Sequence, residues 1–258
     1  MNRFVRHCHE HGIGIAITAS TGIAATHIGG MTIHSWSGIG IKNRLDKYEV
    51  DKIASTEYIA KRIARTRVLI IDEISMLSAN MLDMIDMVCR EVKLDPAPFG
   101  GMQVIFVGDF FQLPPIFRRD AIEQKKQNMF EEETDERQTH FAYGSNAWQR
   151  AQPMICYLTE QHRQDDDEFL SVLNAIRADD FEEQHFDYIN TRQITRDAMP
   201  KNITKLYTHN VDVDKVNSME LAKLAQETKV FTMTSVGKEN IVTTLKKGCL
   251  SPENLELK

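Results

Sequence analysis

A chain of 258 residues with 42% hydrophobic and 26% charged side chains is globular material, long enough for one large core or two smaller domains. Its purely apolar runs are strand-sized, which excludes a transmembrane helix, and no apolar segment follows Arg3 and Arg6, so no secretory signal is expected. The net charge of −6 is uneven: residues 1–119 carry 14 Lys and Arg against 12 Asp and Glu, the remainder 17 against 25, so the total neither excludes nor suggests a DNA partner.

In chain order the pattern alternates helix and strand. A short basic helix near residues 2–10 leads to a strand at Gly14–Thr18. A helix starts around Thr21-Gly22 and ends at Gly29-Gly30, before a Gly-rich loop from Trp36 to Gly40. A helix near 55–65 precedes the apolar strand Val68–Ile71. Ser78 is a plausible N-cap for a helix with Met81, Leu82, Ile85, Val88, Cys89 and Val92 on one face, which ends before Asp95-Pro96-Ala97-Pro98. Next come a strand around Val104, a polar insertion at about 118–141 with the acidic run Glu131–Glu136, and a strand at Pro153–Leu158.

Beyond Asp165-Asp166-Asp167-Glu168 the composition turns more polar and more helical. Those acids fit the first turn of a helix whose apolar stripe is Phe169, Leu173 and Ile176. Strands are expected at Ile203–Thr208 and near Lys229–Thr234. The domain boundary is placed near residues 159–165, giving domains over 1–158 and 159–258. Cys8, Cys89, Cys156 and Cys249 form no CxxC pair, which reads as free thiols in a reducing compartment: cytoplasmic, or nuclear or mitochondrial in a eukaryote. His7 and His11 share a helical face, but no second ligand pair at zinc spacing accompanies them.

The chemistry concentrates where two buried strands end. Val68-Leu69-Ile70-Ile71 runs into Asp72-Glu73, and Val104-Ile105-Phe106-Val107 runs into Gly108-Asp109-Phe110-Phe111-Gln112 before two prolines. Open α/β sheets bind ligands at the C-terminal ends of their strands. Asp72, Glu73, Asp109 and Gln112 aimed at one such edge look like the Mg-nucleotide half of a phosphoryl-transfer site.

Five motifs then occur in order: Thr18-Ala19-Ser20-Thr21-Gly22-Ile23-Ala24-Ala25, Gly29-Gly30-Met31-Thr32-Ile33-His34-Ser35-Trp36, LIIDEISML (69–77), GDFFQLPP (108–115) and LTEQHRQ (158–164). Together with Leu206–Asp214 they span nearly the whole chain. The set resembles the PIF (petite integration frequency) family of DNA helicases, in the 5′-to-3′ branch of helicase superfamily 1. The resemblance implies an α/β fold of the P-loop NTPase (RecA-like) type, a parallel sheet flanked by helices, followed by part of a second RecA-like domain. It implies ATP hydrolysis with Mg²⁺ coupled to movement on single-stranded DNA and at DNA junctions, in DNA repair, recombination or telomere maintenance. A RecD-type helicase subunit shares parts of the set.

By that resemblance Asp72 holds Mg²⁺ through water and Glu73 orients and deprotonates the attacking water; the alternative is a strand-end acidic pair. Asp109 and Gln112 face the nucleotide, with Gln112 sensing the γ-phosphate or, alternatively, bonding its own turn. Arg163 reaches the γ-phosphate or pairs with the Asp165 run. Ser20, Thr21 and Gly22 meet a DNA phosphate or cap a helix. His34, Ser35 and Trp36 line the strand's track, Trp36 as a stacking platform or as core. Thr208, His209 and Asn210 form a second DNA contact, Asn210 alternatively capping the helix with Val213, Val216 and Leu221.

No G-x-x-x-x-G-K-[ST] loop occurs in the 258 residues, and the later helicase motifs are not found. The expectation is therefore a helicase fragment whose missing portions act in cis or in trans, inactive by itself. A non-catalytic single-strand-binding module is the alternative. Loss of a central strand beside Val104–Val107 predicts poor solubility, unless Pro153–Leu158 closes the gap.

Overall fold

Four parallel strands in the order β2-β1-β3-β4 organise the first part of the computed structural model. The structure describes residues 1–40, 42–115, 140–160, 162–195, 198–200, 203–237, 239, 242–243, 246 and 253–258. The chain folds as two compact units, Met1–Arg163 and Gln164–Lys258.

In the first unit, α1 (Asn2–Glu10), β1 (Ile15–Ala19), α2 (Gly22–His27), β2 (Met31–Thr32) and α3 (Ile33–Ser37) lead to α4 (Lys47–Ala54) and α5 (Glu57–Arg65). Then follow β3 (Val68–Asp72), α6 (Ala79–Lys93), β4 (Gln103–Phe106) and α7 (Asn146–Ala151), with short 3₁₀ turns at Ile74–Met76, Pro98–Gly101 and Ala142–Gly144. β3 lies between β1 and β4, with Ala19 opposite Asp72 and Ile71 opposite Phe106.

The period-2 alternation of a strand sorts β3 onto two cores. Leu69 and Ile71 join Ile33, Trp36, Ile39, Leu82, Ile85 and Val88 on one face, whereas Val68 and Ile70 join Cys8 beneath α1 on the other. Burying each of the Leu, Ile and Val side chains among these stabilises the fold by about 1.5–3 kcal/mol. That is why the strand reads as an unbroken apolar run rather than an alternation.

Local chemistry sets the helix ends. Ser78 caps α6 by accepting a hydrogen bond from the Met81 amide, and Met81, Leu82, Ile85, Val88 and Cys89 are buried as their spacing predicts, with Val92 partly so. Burial first, and then the Asp86 charge, push the Cys89 thiol far upward, so it is packing rather than a nucleophile. The Gly-rich loop expected from Trp36 is instead the end of α3, stopped by Gly38 at φ 78°, where a Cβ would also stand 2.4 Å from Ile59 Cδ1. α4 is not among the expected elements, although its signal is legible: Asp46 and Glu49 form a reciprocal capping box.

Two expected strands are not formed. Pro153–Leu158 is irregular, with Met154 89% and Leu158 93% exposed, and Ile203–Thr208 is likewise unpaired. A strand exists only where a neighbour takes its backbone groups, and among the described residues neither segment finds one. β4 accordingly pairs with β3 alone, and the gap that Pro153–Leu158 was expected to close stays open among the described residues. The polar insertion at 118–141 and its acidic run lie almost wholly outside the described residues.

The second unit comprises α8 (Asp167–Ala178), α9 (Glu183–Thr191), α10 (Asn210–Lys223) and the antiparallel pair β5 (Lys229–Thr232) and β6 (Asn254–Leu257). Asp166 caps α8, but the buried face is Val172 and Ala175, while Phe169 and Ile176 remain 38% and 44% exposed. The expected stripe lies to one side of the one that packs. Among the described residues of either unit, no helix is long and apolar enough to cross a membrane.

Candidate functional site

The acids at the end of β3 stand in a strained turn. Glu73 adopts φ 53° and ψ 47°, a left-handed conformation that costs a non-glycine residue roughly 1–2 kcal/mol. Neighbouring groups hold it there. Asp72 Oδ1 accepts from the Glu73 amide at 3.0 Å, and the Glu73 carbonyl accepts both from Ser20 Oγ at 2.9 Å and from the Met76 amide at 3.1 Å. The Ser20 amide donates to the Asp72 carbonyl at 3.1 Å, so β1 and β3 remain joined past their last paired residues. Asp72 keeps Oδ2, and Glu73 keeps its carboxylate, at the C-terminal edge of the sheet.

The loop after β4 approaches from the other side. The Val107 carbonyl accepts from the Ile74 amide at 3.0 Å, and a Cβ on Gly108 would stand 3.0 Å from that same nitrogen. A side chain there would crowd the Ile74 backbone, and glycine avoids that contact. Asp109 then forms a turn: Oδ1 accepts from the Phe111 amide at 3.0 Å, and the backbone carbonyl accepts from the Gln112 amide at 2.9 Å. The Gln112 side chain, exposed, donates to Asp109 Oδ2 at 3.4 Å. Phe110 anchors the loop, meeting Tyr143 edge-on at 5.0 Å and Phe141 at 5.8 Å, while Phe106 stacks on Trp148 at 4.7 Å. No local pattern announces this aromatic anchor, because Phe106 and Phe110 meet partners about 30 or more positions further along the chain.

The remaining candidates divide. Thr21 caps α2 by accepting from the Ala24 amide, while Ser20 has committed both its donors to the Asp72 and Glu73 carbonyls. His34 is half-buried and Ser35 exposed. Trp36 is 2% exposed and sits in the core, which removes it as a stacking platform: the helix α3 turns its ring inward beside Ile33 and Ile39. Its Nε1 has no hydrogen-bond partner among the described residues. Arg62 locks this helix, donating to the Ser35 and Trp36 carbonyls at 2.9 and 2.5 Å, a guanidinium at a helix C-terminus. Arg163 is exposed. Asp166 accepts from the Phe169 amide and from the Tyr188 hydroxyl.

In the second unit Thr208 and His209 are exposed and hydrogen-bonded to each other at 2.9 Å. His209, not Asn210, is the N-cap of α10, and Asn210 is its first residue, with a side chain outside the described set. Val213, Val216 and Leu221 are half-buried along that helix. His7 and His11 gather no further ligands, and no group of three metal-ligating side chains occurs among the described residues. His11 Nδ1 lies 2.8 Å from the His7 carbonyl at the end of α1.

Two of these placements carry predictions. Trp36→Ala is expected to destabilise the first unit by about 3–5 kcal/mol, whereas the emission of Trp36 in a Trp148→Phe background should not respond to oligonucleotide. Burial lowers the His34 pKa below 6.5, so below that pH the unfolded chain takes up a proton that folded His34 refuses. Its contribution to stability is complete above pH 6.5 and is lost as pH falls through the depressed folded value. Melting temperatures across that range should show the slope, and His34→Gln should flatten it.

A sheet edge with paired acids, a Gly-Asp-Phe-Phe-Gln loop bonded to the same turn, and the order of motifs agree with a match of residues 1–186 to the model for PIF1-like helicases. The chain belongs to the PIF1-like helicase family. An ATP-dependent DNA helicase Pif1 of Psychrobacter sp. is 39% identical over 265 aligned residues, covering 100% of this chain and 38% of that protein. Bacteroides sp. Pif1 in complex with ADP-AlF4 superposes with a TM-score of 0.75 at 28% identity, covering 99% of this chain and 56% of that one. Bacteroides Pif1 bound to single-stranded DNA gives a TM-score of 0.65 at 27% identity, covering 98% and 56%. The chain thus spans well under two thirds of the length of the PIF1 relatives it matches.

Proposed function

We propose that this chain supplies the water-activating and part of the DNA-tracking machinery of an ATP-dependent helicase that moves 5′ to 3′ on single-stranded DNA. The observation that carries the reading is the shared turn: Asp72 and Glu73 at the end of β3 are bonded to Ser20 just past β1, and the Ile74 amide that follows them is bonded to Val107 just past β4. Glu73 is the general base that orients the attacking water, and Gln112, resting on Asp109, reports the γ-phosphate to the loop. Arg163 adds a charged fork for the same phosphate. Asp72 fits Mg²⁺ through water, since Oδ1 is engaged by the Glu73 amide and Oδ2 is left for a ligand. Bound there with nucleotide, the ion would neutralise charge on the phosphates, and Asp72 is the residue that would hold it.

On the DNA side, Thr21 and Gly22 at the start of α2, with His34 and the exposed Ser35, form one contact line. Thr208, His209 and Asn210 supply a contact from the second unit. Single strands and junctions are the proposed substrates.

The test uses the longest reading frame that carries these 258 residues, assayed for ATP hydrolysis with and without oligo(dT) and for unwinding of a duplex with a 5′ tail. Stimulation by DNA with 5′-to-3′ unwinding supports the reading. DNA binding without any hydrolysis would make the chain a single-strand-binding module instead.

A further inference from the structure

Ser20 makes two bonds to the turn that carries the paired acids. It is the first residue beyond β1, directly before the Thr21 cap of α2, and it reaches across to the last residue of β3 and to the one that follows it. Its amide holds the Asp72 carbonyl at 3.1 Å and its hydroxyl holds the Glu73 carbonyl at 2.9 Å. The Glu73 backbone is the strained element here, with φ 53° and ψ 47° and no glycine to ease it. A left-handed residue persists only where its surroundings over-determine it. The carbonyl that Ser20 grips sits within that residue, so the hydroxyl bears directly on the direction in which the Glu73 side chain leaves the chain.

We propose that Ser20 is a positioning residue for Glu73, its hydroxyl fixing the left-handed turn so that the carboxylate points at the attacking water. This rests on the reading of Glu73 as the general base. Because Thr21 follows immediately, a pull on the start of α2 is transmitted through one hydrogen bond to the acid. Ser20 therefore acts in turnover rather than in DNA affinity.

The test compares Ser20→Ala and Ser20→Thr in the longest reading frame, beside Glu73→Gln. At saturating oligo(dT), Ser20→Ala should lower kcat about tenfold while KM for ATP and Kd for oligo(dT) stay within about twofold, and Ser20→Thr should restore most of the rate. An unchanged kcat in Ser20→Ala overturns the proposal. A loss that vanishes as DNA concentration rises also overturns it, by making Ser20 a DNA contact. Hydrogen exchange at the Met76 amide, which shares the Glu73 carbonyl, gives a reading independent of turnover: Ser20→Ala should speed it and Ser20→Thr should not. Unchanged exchange in Ser20→Ala overturns the proposal as well. If Glu73→Gln hydrolyses ATP at the wild-type rate, the general-base reading fails and takes the positioning role with it. If Glu73→Gln is dead and Ser20→Ala is normal, only the positioning role fails.

Discussion

Glu73→Gln, in the longest reading frame carrying these residues, is expected to lower DNA-stimulated ATP hydrolysis by about 10²–10⁴-fold, the range for removing a positioned general base. The amide is nearly the same size as the carboxylate, and the Glu73 side chain is not what holds the turn. Ser20, Met76 and Asp72 bond its backbone, so the left-handed conformation should survive. Binding of ATP and of oligo(dT) should therefore be retained while kcat collapses, the pattern of an interaction made in the transition state. Steady-state kinetics beside equilibrium titrations of oligo(dT) read this directly. A parallel loss of DNA affinity would mean that the substitution disturbs the turn, and an unaltered kcat would remove Glu73 from the chemistry.

The second large effect concerns stability. Asp86 lies in the middle of α6, is 2% exposed, and satisfies three donors: Arg90 Nε at 2.8 Å, Arg150 Nη1 at 3.0 Å and the Phe99 amide at 2.7 Å. Arg150 also donates to the Pro96 carbonyl at 2.8 Å. One carboxylate thus ties α6 to the Pro98–Gly101 turn and to α7. Asp86→Ala leaves the buried Phe99 amide without a partner and two arginines without their counter-charge. Breaking a buried pair costs about 3–5 kcal/mol, and the lower end applies because both guanidiniums are about a third or more exposed and can rehydrate. For a unit of this size about 3 kcal/mol corresponds to a fall in melting temperature of roughly 6–12 °C. Calorimetry should show it, and Asp86→Asn should recover part of the loss by accepting from the Phe99 amide.

Much of the working edge was legible from one dimension. The run Val68–Ile71 announces a strand buried on both faces, and the carboxylates after it must emerge at the strand's end. Ser78 followed by periodic apolar residues describes a capped helix, and α6 is that helix. These readings succeed because strand and helix periods act over a few residues and leave their mark in composition. The family, too, was readable from motif order, since each motif is a short local segment.

Other features depended on partners distant along the chain. Trp36 belongs to the core because α3 turns it toward Ile33 and Ile39, a rotation that spacing within one five-residue helix does not specify. Pro153–Leu158 has a strand's composition but no neighbour to pair with among the described residues, and backbone pairing is decided between segments, not within one. Val172 and Ala175, not Phe169 and Ile176, form the packed face of α8, because burial follows what the helix meets. The Ser20–Glu73 bond spans 53 positions and the Asp86 knot 64, beyond any local pattern. The sequence by itself determined the buried strand that ends in Asp72 and Glu73 and the helix that Ser78 caps. Tertiary structure decided which hydroxyl holds the acid's turn and which tryptophan is hidden, because hydrogen bonding and burial depend on where the chain returns.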